Sequence, residues 1–395
     1  MRAAALGAHG EDELRAVGWW SNSGPVAEWV DVLSAISAAP DPELAVRTIG
    51  RLHIAIGNSW PEFSARLRDD SGFRARLIAV IGSSTTFADF LVAFPDQWRR
   101  LISGQRIVDY ADHASAELLR AIGADADGEG IDEHTGAEAI AAMRRTYRGL
   151  LLEIAAMDLA HSVDSRQPRL SYRQVTESLT DLAEAVLRVS LAMARAEIDD
   201  AQVDSARKDD ARSCRLAIIA MGKCGGRELN YVSDVDIVFV EDGDSSIAAR
   251  VAAETMRIAS AAAFEVDATL RPYGKTGALT ATVDGYRSYY RRWAKTWEFQ
   301  ALLKARPVAG DVELGTQFTE SVLPLVWTAA EREGFVADVQ GMRKRVEQHV
   351  PAELVERELK LGRGSLRDAE FAVQLLQLVH GRADDALRVR STVDG

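Results

Sequence analysis

The chain has 395 residues, of which 47% are hydrophobic, so it is long enough for two or three domains with buried cores. It carries 59 acidic side chains and 47 Lys or Arg, and the resulting net charge of −12 argues against broad binding to nucleic acid. Its two cysteines, Cys214 and Cys224, have no metal-ligand spacing and are too few for a disulfide scaffold. The N-terminus lacks an apolar stretch of signal-peptide length and no run approaches a membrane span. We therefore expect a reduced, cytoplasmic protein that does not associate with membranes.

The first part of the chain predicts helices from residue 25 to 122. Apolar residues recur at helical spacing in Val26–Ala38 and again in Arg74–Val92. Five tryptophans near these stripes are interpreted as core residues, because aromatic side chains on helical stripes usually are. They are Trp19, Trp20, Trp29, Trp60 and Trp98. The Gly/Asp/Glu-rich stretch Gly123–Gly136 then predicts a loop.

Two long helices are predicted after this loop. Ser171 and Gln174 have the spacing of a capping box, so the second helix is expected to start at Ser171. Its apolar residues alternate four and three positions apart, which marks one buried face. That face consists of Val175, Leu179, Leu182, Val186, Val189 and Met193. The polar stretch Asp199–Ser213 is expected to end the helix.

The hydrophobic period changes after residue 213. Two continuous apolar runs and one alternating run predict strands, and an Ala-rich stretch before the third predicts a helix. The strands are Leu216–Met221, Val235–Val240 and Phe264–Leu270, and the helix is Ala248–Ala263. Helices are expected again from Tyr286 to His380. We therefore expect an α+β unit and three domains: a helical region over 1–130, a catalytic domain over 131–310 and a helical domain over 311–395.

Two carboxylates on the second strand are the strongest functional signal. Asp234 and Asp236 point to the same side of a strand, which is costly unless a cation lies between them. Hard divalent cations such as Mg²⁺ prefer oxygen ligands and bridge to phosphates. The glycine pair Gly225–Gly226 precedes the strand and could bring backbone N–H groups close to a phosphate. An Asp-x-Asp alone would indicate a solvated strand edge, but the combination favours a nucleotide site.

The third strand supplies a third carboxylate. Asp267 is phased opposite to the apolar residues of its strand and follows a single crossover helix, so it can join the Asp234–Asp236 pair. Three carboxylates are the ligand set that a two-metal phosphoryl or nucleotidyl transfer site requires. Arg271 emerges from the same strand and could hold a phosphate with two hydrogen bonds.

Cationic residues follow the sheet and allow two interpretations. They are Arg287, Arg291, Arg292, Lys295, Lys304 and Arg306. A helix with a solvated basic face is common, but Lys304 and Arg306, with the acidic Glu298, follow the catalytic unit closely enough to reach a ligand. A later glycine-rich segment, 362–370, contains Arg367 and Glu370. It predicts a turn between helices with ion pairs, or else a loop that faces the substrate.

Several of these segments together resemble one known family. Gly-Lys-x-Gly-Gly-Arg-Glu-Leu-Asn-Tyr-x-Ser-Asp-x-Asp at 222–236 is similar to the signature of the bifunctional glutamine synthetase adenylyltransferase/adenylyl-removing enzyme. The resemblance extends to four further segments. They are Ile81–Ser84 with Pro95, Val266-Asp267 with Leu270-Arg271-Pro272, Gln300–Arg306, and Leu366–Phe371. Two positions depart from the family pattern: Cys224 replaces an aliphatic residue, which should alter only packing, and Thr269 stands where many members carry an arginine.

The resemblance implies a predominantly helical α+β fold with a polymerase-beta-like nucleotidyltransferase core, a small mixed sheet and flanking helical domains. It implies that this chain looks like the first, adenylyl-removing half of the family. That half removes AMP from a tyrosine of glutamine synthetase by phosphorolysis, with inorganic phosphate as a substrate and ADP as a product. A second half of the same chain would attach AMP from ATP, and both halves would respond to glutamine and to the PII signal protein.

The resemblance also assigns roles to residues. Asp234, Asp236 and Asp267 would hold two Mg²⁺ ions, and Gly225, Gly226 and Ser233 would hold the AMP phosphate. The attacking phosphate would be held by Arg271, Lys304 or Arg306. Residue chemistry alone permits AMP transfer in either direction, so the adenylyltransferase direction stays open.

Two other classes of protein also stay open. A PII uridylyltransferase shares the nucleotidyltransferase core but typically carries a His-Asp hydrolase domain, and no His-Asp dipeptide occurs in this sequence. A non-catalytic module that binds nucleotide or PII is disfavoured, because three clustered carboxylates are costly to retain without a function.

Overall fold

A computed structural model of the chain describes residues 8–104, 110–125, 135–200, 214–348, 350–351 and 357–395. The chain divides into two compact units. The first comprises Met1–His113 and Arg145–Leu179, and the second comprises Ala114–Arg144 and Thr180–Gly395. The division into three domains stays a prediction. Most of the predicted loop Gly123–Gly136 and of the polar stretch Asp199–Ser213 lies outside the described residues.

The described residues contain sixteen α-helices and seven β-strands. The helices α1–α16 are, in chain order, Ala8–Ala16, Val30–Ala38, Pro42–Ile56, Trp60–Asp69, Ser71–Ile81, Thr85–Ala93, Tyr110–Ala121, Gly136–Val163, Tyr172–Asp200, Gly222–Gly225, Ser245–Ala262, Val283–Arg292, Thr296–Leu302, Val312–Trp327, Phe335–Gln348 and Leu366–His380. The strands β1–β7 are Trp20–Ser21, Gly24–Pro25, Arg215–Ala220, Val235–Asp242, Val266–Asp267, Thr280–Ala281 and Arg306–Gly310. A predominantly helical α+β fold with a small mixed sheet is therefore confirmed.

The first unit has an aromatic core, as its tryptophans predict. Trp19 stacks on Trp29 with ring centroids 4.7 Å apart, and Phe63 meets Trp98 edge-on at 5.4 Å. Trp19, Trp29 and Trp98 are buried, whereas Trp20 and Trp60 are half-buried. The predicted stripe Arg74–Val92 is two helices, because Ser84 accepts a hydrogen bond from the backbone N–H of Phe87 and starts α6.

No single helix in the described ranges is long and apolar enough to cross a membrane. Helices α5 and α6 meet the length and composition criteria only as a pair, and they are bent by 114° at the break between them.

The predicted capping box at the start of helix α9 is present. The backbone N–H of Ser171 donates to Gln174 Oε1 at 2.8 Å, and the backbone N–H of Gln174 donates to Ser171 Oγ at 3.3 Å. The six apolar residues that were predicted to form the inner face of this helix are all buried. The periodicity of the sequence therefore predicted both the start of the helix and its buried side.

Replacing Ser171 by Ala is expected to lower the free energy of unfolding by about 1 kcal/mol, because the N–H of Gln174 then loses its acceptor. Urea denaturation followed by far-UV circular dichroism would measure the change. Ser178→Ala, which removes a hydroxyl that donates to the Gln174 carbonyl inside the same helix, is the matched control. The expected change there is smaller, and an equal loss in both variants would contradict the capping role.

The second unit contains a five-stranded mixed sheet with strand order β5-β4-β3-β7, and β6 also pairs with β4. Strand β3 is antiparallel to β4 and to β7, whereas β5 and β6 are parallel to β4. One face of β3 and β4 packs on a buried cluster that includes Tyr286, Tyr290 and Phe318. The predicted core residues Val235, Ile237 and Phe239 are buried as well. From Ile237 to Glu241, strand β4 is therefore buried on both faces, which fixes its position.

The third predicted strand, Phe264–Leu270, is wrong in length, because only Val266–Asp267 pairs with β4. The chain turns directly afterwards. Asp267 Oδ1 accepts the backbone N–H of Thr269 at 2.6 Å, and the N–H of Arg271 bonds to the Ala268 carbonyl. A side chain that bonds to its own backbone competes with sheet pairing, and this ends the strand at Asp267.

The expectation of continuous helices from Tyr286 to His380 is also wrong. Arg306–Gly310 forms strand β7 at the edge of the sheet, where it pairs with β3. A proline cannot donate to a neighbouring strand, so Pro307 is compatible with an edge strand but not with a central one. Strand β7 matters for the site because it brings Lys304 and Arg306 beside the turn that follows β3.

Candidate functional site

Three carboxylates meet at one end of the sheet. Oxygen atoms of Asp234, Asp236 and Asp267 all lie within 4.8 Å of one another. Asp236 and Asp267 are direct partners in the parallel pairing of β4 with β5, so their side chains leave the sheet on the same side. Asp234 precedes the strand and is exposed, whereas the other two are half-buried. The structure thus brings together the carboxylates that the strand phasing grouped, and we call them the carboxylate cluster.

The environment of Asp236 is unfavourable for its charge. Burial is the largest cause, and the charges of Asp234 and Asp267 add to it, so the pKa of Asp236 rises to about 6. The positive charges of Lys223 and Arg367 act in the opposite direction and lower this pKa. Three acidic groups are therefore held together against their repulsion, which is the electrostatic arrangement of a cation site.

Gly222, which was not among the candidate site residues, lies directly against Asp236 of the carboxylate cluster. It begins the helical turn Gly222–Gly225 after β3 with a φ of +50°, which favours glycine. A Cβ at this position would lie 2.4 Å from Asp236 Oδ2. The backbone N–H of Met221 also donates to the Asp236 carbonyl at 2.8 Å. The turn and the carboxylate are thus fixed against each other. The signal in the sequence was a glycine directly after the first predicted strand, Leu216–Met221.

The need for glycine at the predicted phosphate-binding pair, Gly225 and Gly226, is explained mainly by packing. A Cβ on Gly225 would lie 2.0 Å from the Lys304 carbonyl oxygen, and one on Gly226 would lie 3.0 Å from the Arg390 carbonyl oxygen. Their N–H groups bond to the carbonyls of Met221 and Gly222. Phosphate binding by these two N–H groups stays a prediction, and in this conformation both already have acceptors.

Arg306 and Arg271 hold backbone segments in place. Arg306 donates to the carbonyls of Cys224 and Gly225 at 3.0 and 3.2 Å and pairs with Glu184 at 2.5 Å. Arg271 donates to three carbonyls of its own loop, those of Ala268, Lys275 and Gly277. Both guanidinium groups therefore bond to the protein itself, although each has five N–H donors and does not use all of them in these bonds.

Lys304 lies at the centre of a buried ionic network. Its ammonium contacts Glu228 Oε2 at 2.9 Å, Glu370 Oε1 at 3.1 Å and Thr392 Oγ1 at 2.9 Å. The Lys304 and Glu228 side chains are only 6% and 8% exposed. Three acceptors match the three N–H groups of an ammonium, so the lysine has no donor left for a ligand.

Glu228 links this network to the C-terminal segment. Its Oε1 accepts the backbone N–H of Thr392 at 2.5 Å and that of Val393 at 3.4 Å, while Thr392 Oγ1 donates to Oε2. Glu228 follows the turn Gly222–Gly225 by three residues. One buried carboxylate therefore connects the turn beside the carboxylate cluster to residues 392–393.

The remaining predicted residues are not all at the cluster. Glu298 is buried and accepts hydrogen bonds from the Tyr289 hydroxyl and the Lys295 backbone N–H, both at 2.7 Å, so it caps helix α13. Ser233 is half-buried and directly precedes Asp234. Arg367, at the start of α16, is near enough to affect Asp236 and lies 3.6 Å from Glu370.

Cys224, the first departure from the family pattern, lies at a buried position, and its effect on packing alone stays a prediction. The side chain is buried, and the thiol is free. Burial, with the nearby Glu184 carboxylate, raises the pKa of Cys224 to about 12. A buried thiol of this kind behaves as a small apolar residue rather than as a nucleophile.

The carboxylate cluster fits a divalent cation. Its donors are all oxygen atoms, they converge within 4.8 Å, and their repulsion in a half-buried site is relieved by a positive ion. The roles of Asp234, Asp236 and Asp267 as Mg²⁺ ligands nevertheless stay a prediction.

A family model described as glutamate-ammonia ligase adenylyltransferase matches residues 74–321, which include the carboxylate cluster and the turn beside it. The match covers more than half of the chain. The chain belongs to this adenylyltransferase family. Family membership confirms the resemblance that the motifs at 222–236, 266–272 and 300–306 indicated.

Relatives named bifunctional glutamine synthetase adenylyltransferase/adenylyl-removing enzyme align with nearly the whole chain. The one from Nocardia farcinica is 51% identical over 96% of this chain, and the one from Mycolicibacterium smegmatis is 48% identical over 98% of it. The aligned region is 37% of the length of each relative. The chain thus corresponds to rather more than a third of these adenylyltransferase family members.

A second family model, described as GlnD PII-uridylyltransferase, matches residues 334–393. This segment includes helices α15 and α16 and the residues that contact Glu228. It follows the segment matched by the adenylyltransferase family model and does not contain the carboxylate cluster.

Proposed function

We propose that this chain removes AMP from an adenylylated tyrosine of glutamine synthetase by phosphorolysis. The observation that carries the proposal is the carboxylate cluster, with oxygens of three acidic groups within 4.8 Å, in a chain of the adenylyltransferase family. The name of the relatives includes both an adenylyltransferase and an adenylyl-removing activity. The direction proposed here is supported by the segments around Lys304–Val308 and Leu366–Phe371, which look like the first half of the family.

The reaction conserves atoms and charge. An oxygen of inorganic phosphate forms a bond to the adenylyl phosphorus, and the bond between that phosphorus and the tyrosine oxygen breaks. The tyrosine oxygen leaves with the electron pair and takes up the proton that hydrogen phosphate gives up, and the products are ADP and unmodified tyrosine. The attacking group is already an anion, so charge compensation matters more than a general base.

The protein side chains position the reacting groups. Asp234, Asp236 and Asp267 would hold Mg²⁺, which when bound supplies positive charge to the phosphate oxygens and to the leaving tyrosinate. The absence of a side chain at Gly222 lets the backbone of the turn approach the Asp236 carboxylate closely. Strand pairing between Asp236 and Asp267 keeps these two carboxylates in place before a cation or a substrate binds.

The partners follow from the same proposal. The substrate is adenylylated glutamine synthetase in the cytoplasm, and the remainder of the full-length protein carries the opposing adenylyltransferase half. The match of residues 334–393 to the PII-uridylyltransferase model supports PII as the regulatory partner.

The test uses adenylylated glutamine synthetase, Mg²⁺ and inorganic phosphate, with ADP release and loss of the AMP mass from the synthetase followed by mass spectrometry. We expect stoichiometric formation of ADP and unmodified tyrosine, and none without phosphate. A parallel reaction contains unmodified synthetase and ATP. AMP attachment in that reaction without ADP release in the first would show the adenylyltransferase direction, and no turnover in either would show a binding module.

A further inference from the structure

Two positive charges lie beside the carboxylate cluster, and neither belongs to the cations selected from the sequence as phosphate ligands. Those cations, Arg271, Lys304 and Arg306, bond to carbonyls and carboxylates of the protein itself. Lys223 and Arg367 are instead close enough for their charges to lower the pKa of Asp236. A site that binds a phosphate next to three carboxylates needs positive charge from the protein at this location.

The position of Lys223 is set by the backbone of the turn. It follows Gly222, whose missing Cβ would be 2.4 Å from Asp236 Oδ2, so the turn begins against the carboxylate cluster. The Lys223 carbonyl accepts the backbone N–H of Glu228 at 2.8 Å, which closes the turn behind it. The side chain is half-buried, and its ammonium lies 3.4 Å from Asn230 Oδ1 on the loop that leads to Asp234.

The bonding state of Lys223 differs from that of Lys304. The amide oxygen of Asn230 is the contact of its ammonium, and no carboxylate among the described residues lies within ion-pair distance. An ammonium has three donors, so Lys223 keeps donors for a ligand where Lys304 keeps none. The bonding of Arg367 is intermediate between that of the two lysines, because its guanidinium lies 3.6 Å from the Glu370 carboxylate and 5.7 Å from the centroid of the Phe371 ring.

We propose that Lys223 binds the phosphate group that enters the carboxylate cluster, whereas Arg306 and Arg271 hold the surrounding backbone and Lys304 holds buried side chains. This inference rests on the proposed function for the identity of the ligand, inorganic phosphate or the β-phosphate of ADP. Phosphorolysis and its exact reverse place the same phosphate group beside the cluster, whereas AMP transfer from ATP would place the β-phosphate of ATP there.

The test measures the binding of inorganic phosphate and of ADP, each with Mg²⁺, by calorimetry on the 395-residue chain. Lys223→Met is expected to weaken binding by about 10- to 100-fold, the loss of one or two charge-assisted hydrogen bonds. Lys223→Arg should stay within about threefold of the unchanged protein, because it keeps the charge. Lys344→Met, at an exposed lysine of helix α15, is the charge-matched control and should bind normally.

Kinetics separate this proposal from a structural role and from the proposed function. In deadenylylation, Lys223→Met should raise KM for phosphate and leave KM for adenylylated glutamine synthetase unchanged. Unchanged binding and unchanged phosphate KM in Lys223→Met would overturn the role of Lys223 while leaving phosphorolysis intact. If the unchanged protein binds phosphate or ADP through Lys223 but releases no ADP, the proposed function fails and the site stands. If it binds neither, the site is overturned.

Discussion

Replacing Asp236 by Asn is expected to reduce ADP release from adenylylated glutamine synthetase by roughly a hundred- to a thousandfold. Asn keeps the size of the side chain but removes one anionic ligand from the centre of the carboxylate cluster. Asp236 is the member of the cluster that pairs with Asp267 across the strands and also faces Gly222. It therefore contacts both strand β5 and the turn Gly222–Gly225. Single-turnover assays at saturating phosphate would measure the loss directly.

The same substitution is expected to stabilise the protein when divalent cations are absent. The folded pKa of Asp236, about 6, lies above its ordinary value of 3.8, so the folded protein binds the proton more tightly than the unfolded chain. This contribution to stability is present below pH 4 and is lost as the pH rises through 6. At pH 8 without Mg²⁺, Asp236→Asn should therefore unfold with a free energy higher by on the order of 3 kcal/mol.

The control for both measurements is Asp284→Asn, at an exposed carboxylate that pairs with Arg287 in the same unit. It should change neither turnover nor the pH dependence of unfolding between pH 4 and 8. Full turnover in Asp236→Asn would refute the catalytic role of the cluster. If the free energy of unfolding of Asp236→Asn had the same pH dependence as that of the unchanged protein, the electrostatic explanation for the raised pKa of Asp236 would be refuted.

Replacing Lys304 by Met is expected to destabilise the second unit by about 3 kcal/mol, because it leaves Glu228 buried without its cation. Glu370 loses the same partner. For a unit of this size the loss corresponds to a fall in Tm of roughly 6–12 °C. Differential scanning calorimetry would show whether the change is confined to one of two transitions.

Two comparison variants identify the cause of this loss. Lys344→Met removes an exposed positive charge from the same unit and should leave Tm nearly unchanged. The double variant Lys304→Met/Glu228→Gln removes both charges and should recover part of the stability, since the cost comes from the uncompensated carboxylate. A Tm for Lys304→Met within one degree of the unchanged protein would show that the ion pair contributes little.

The features that sequence predicted well are those set by local periodicity. The capping box at Ser171, the buried face of α9 and the side on which Asp267 leaves its strand all follow from spacing along one element. These interactions involve residues three or four apart, or a fixed alternation of faces, so no knowledge of distant contacts was needed.

The roles of the cations could not be predicted, because their partners are distant in the sequence. Lys304 meets Glu228 and Thr392, and Arg306 meets Glu184, at separations of 76 to 122 residues. A lysine near a catalytic motif looks the same whether it faces a ligand or a buried carboxylate. Strand β7 was missed for a related reason: it is short, contains Pro307, and exists only because β3 offers an edge.

The glycine pair shows the same limitation. Gly225 and Gly226 suggested a phosphate cradle, whereas their lack of a Cβ admits the carbonyls of Lys304 and Arg390. Both explanations require glycine, so the residue type alone could not decide between them. Gly222 is a single glycine and gives a weaker signal in the sequence than the pair, although it alone of the three lies against Asp236.

The shared carboxylate of Glu228 makes two distant parts of the second unit thermodynamically linked. It bonds to the amides of Thr392 and Val393 and, through Lys304, to helix α16, while its own backbone N–H closes the turn at Lys223. A ligand that tightens the turn would therefore tighten the anchorage of residues 392–393. By reciprocity, a partner that displaces residues 392–393 would weaken the binding of that ligand by the same free energy.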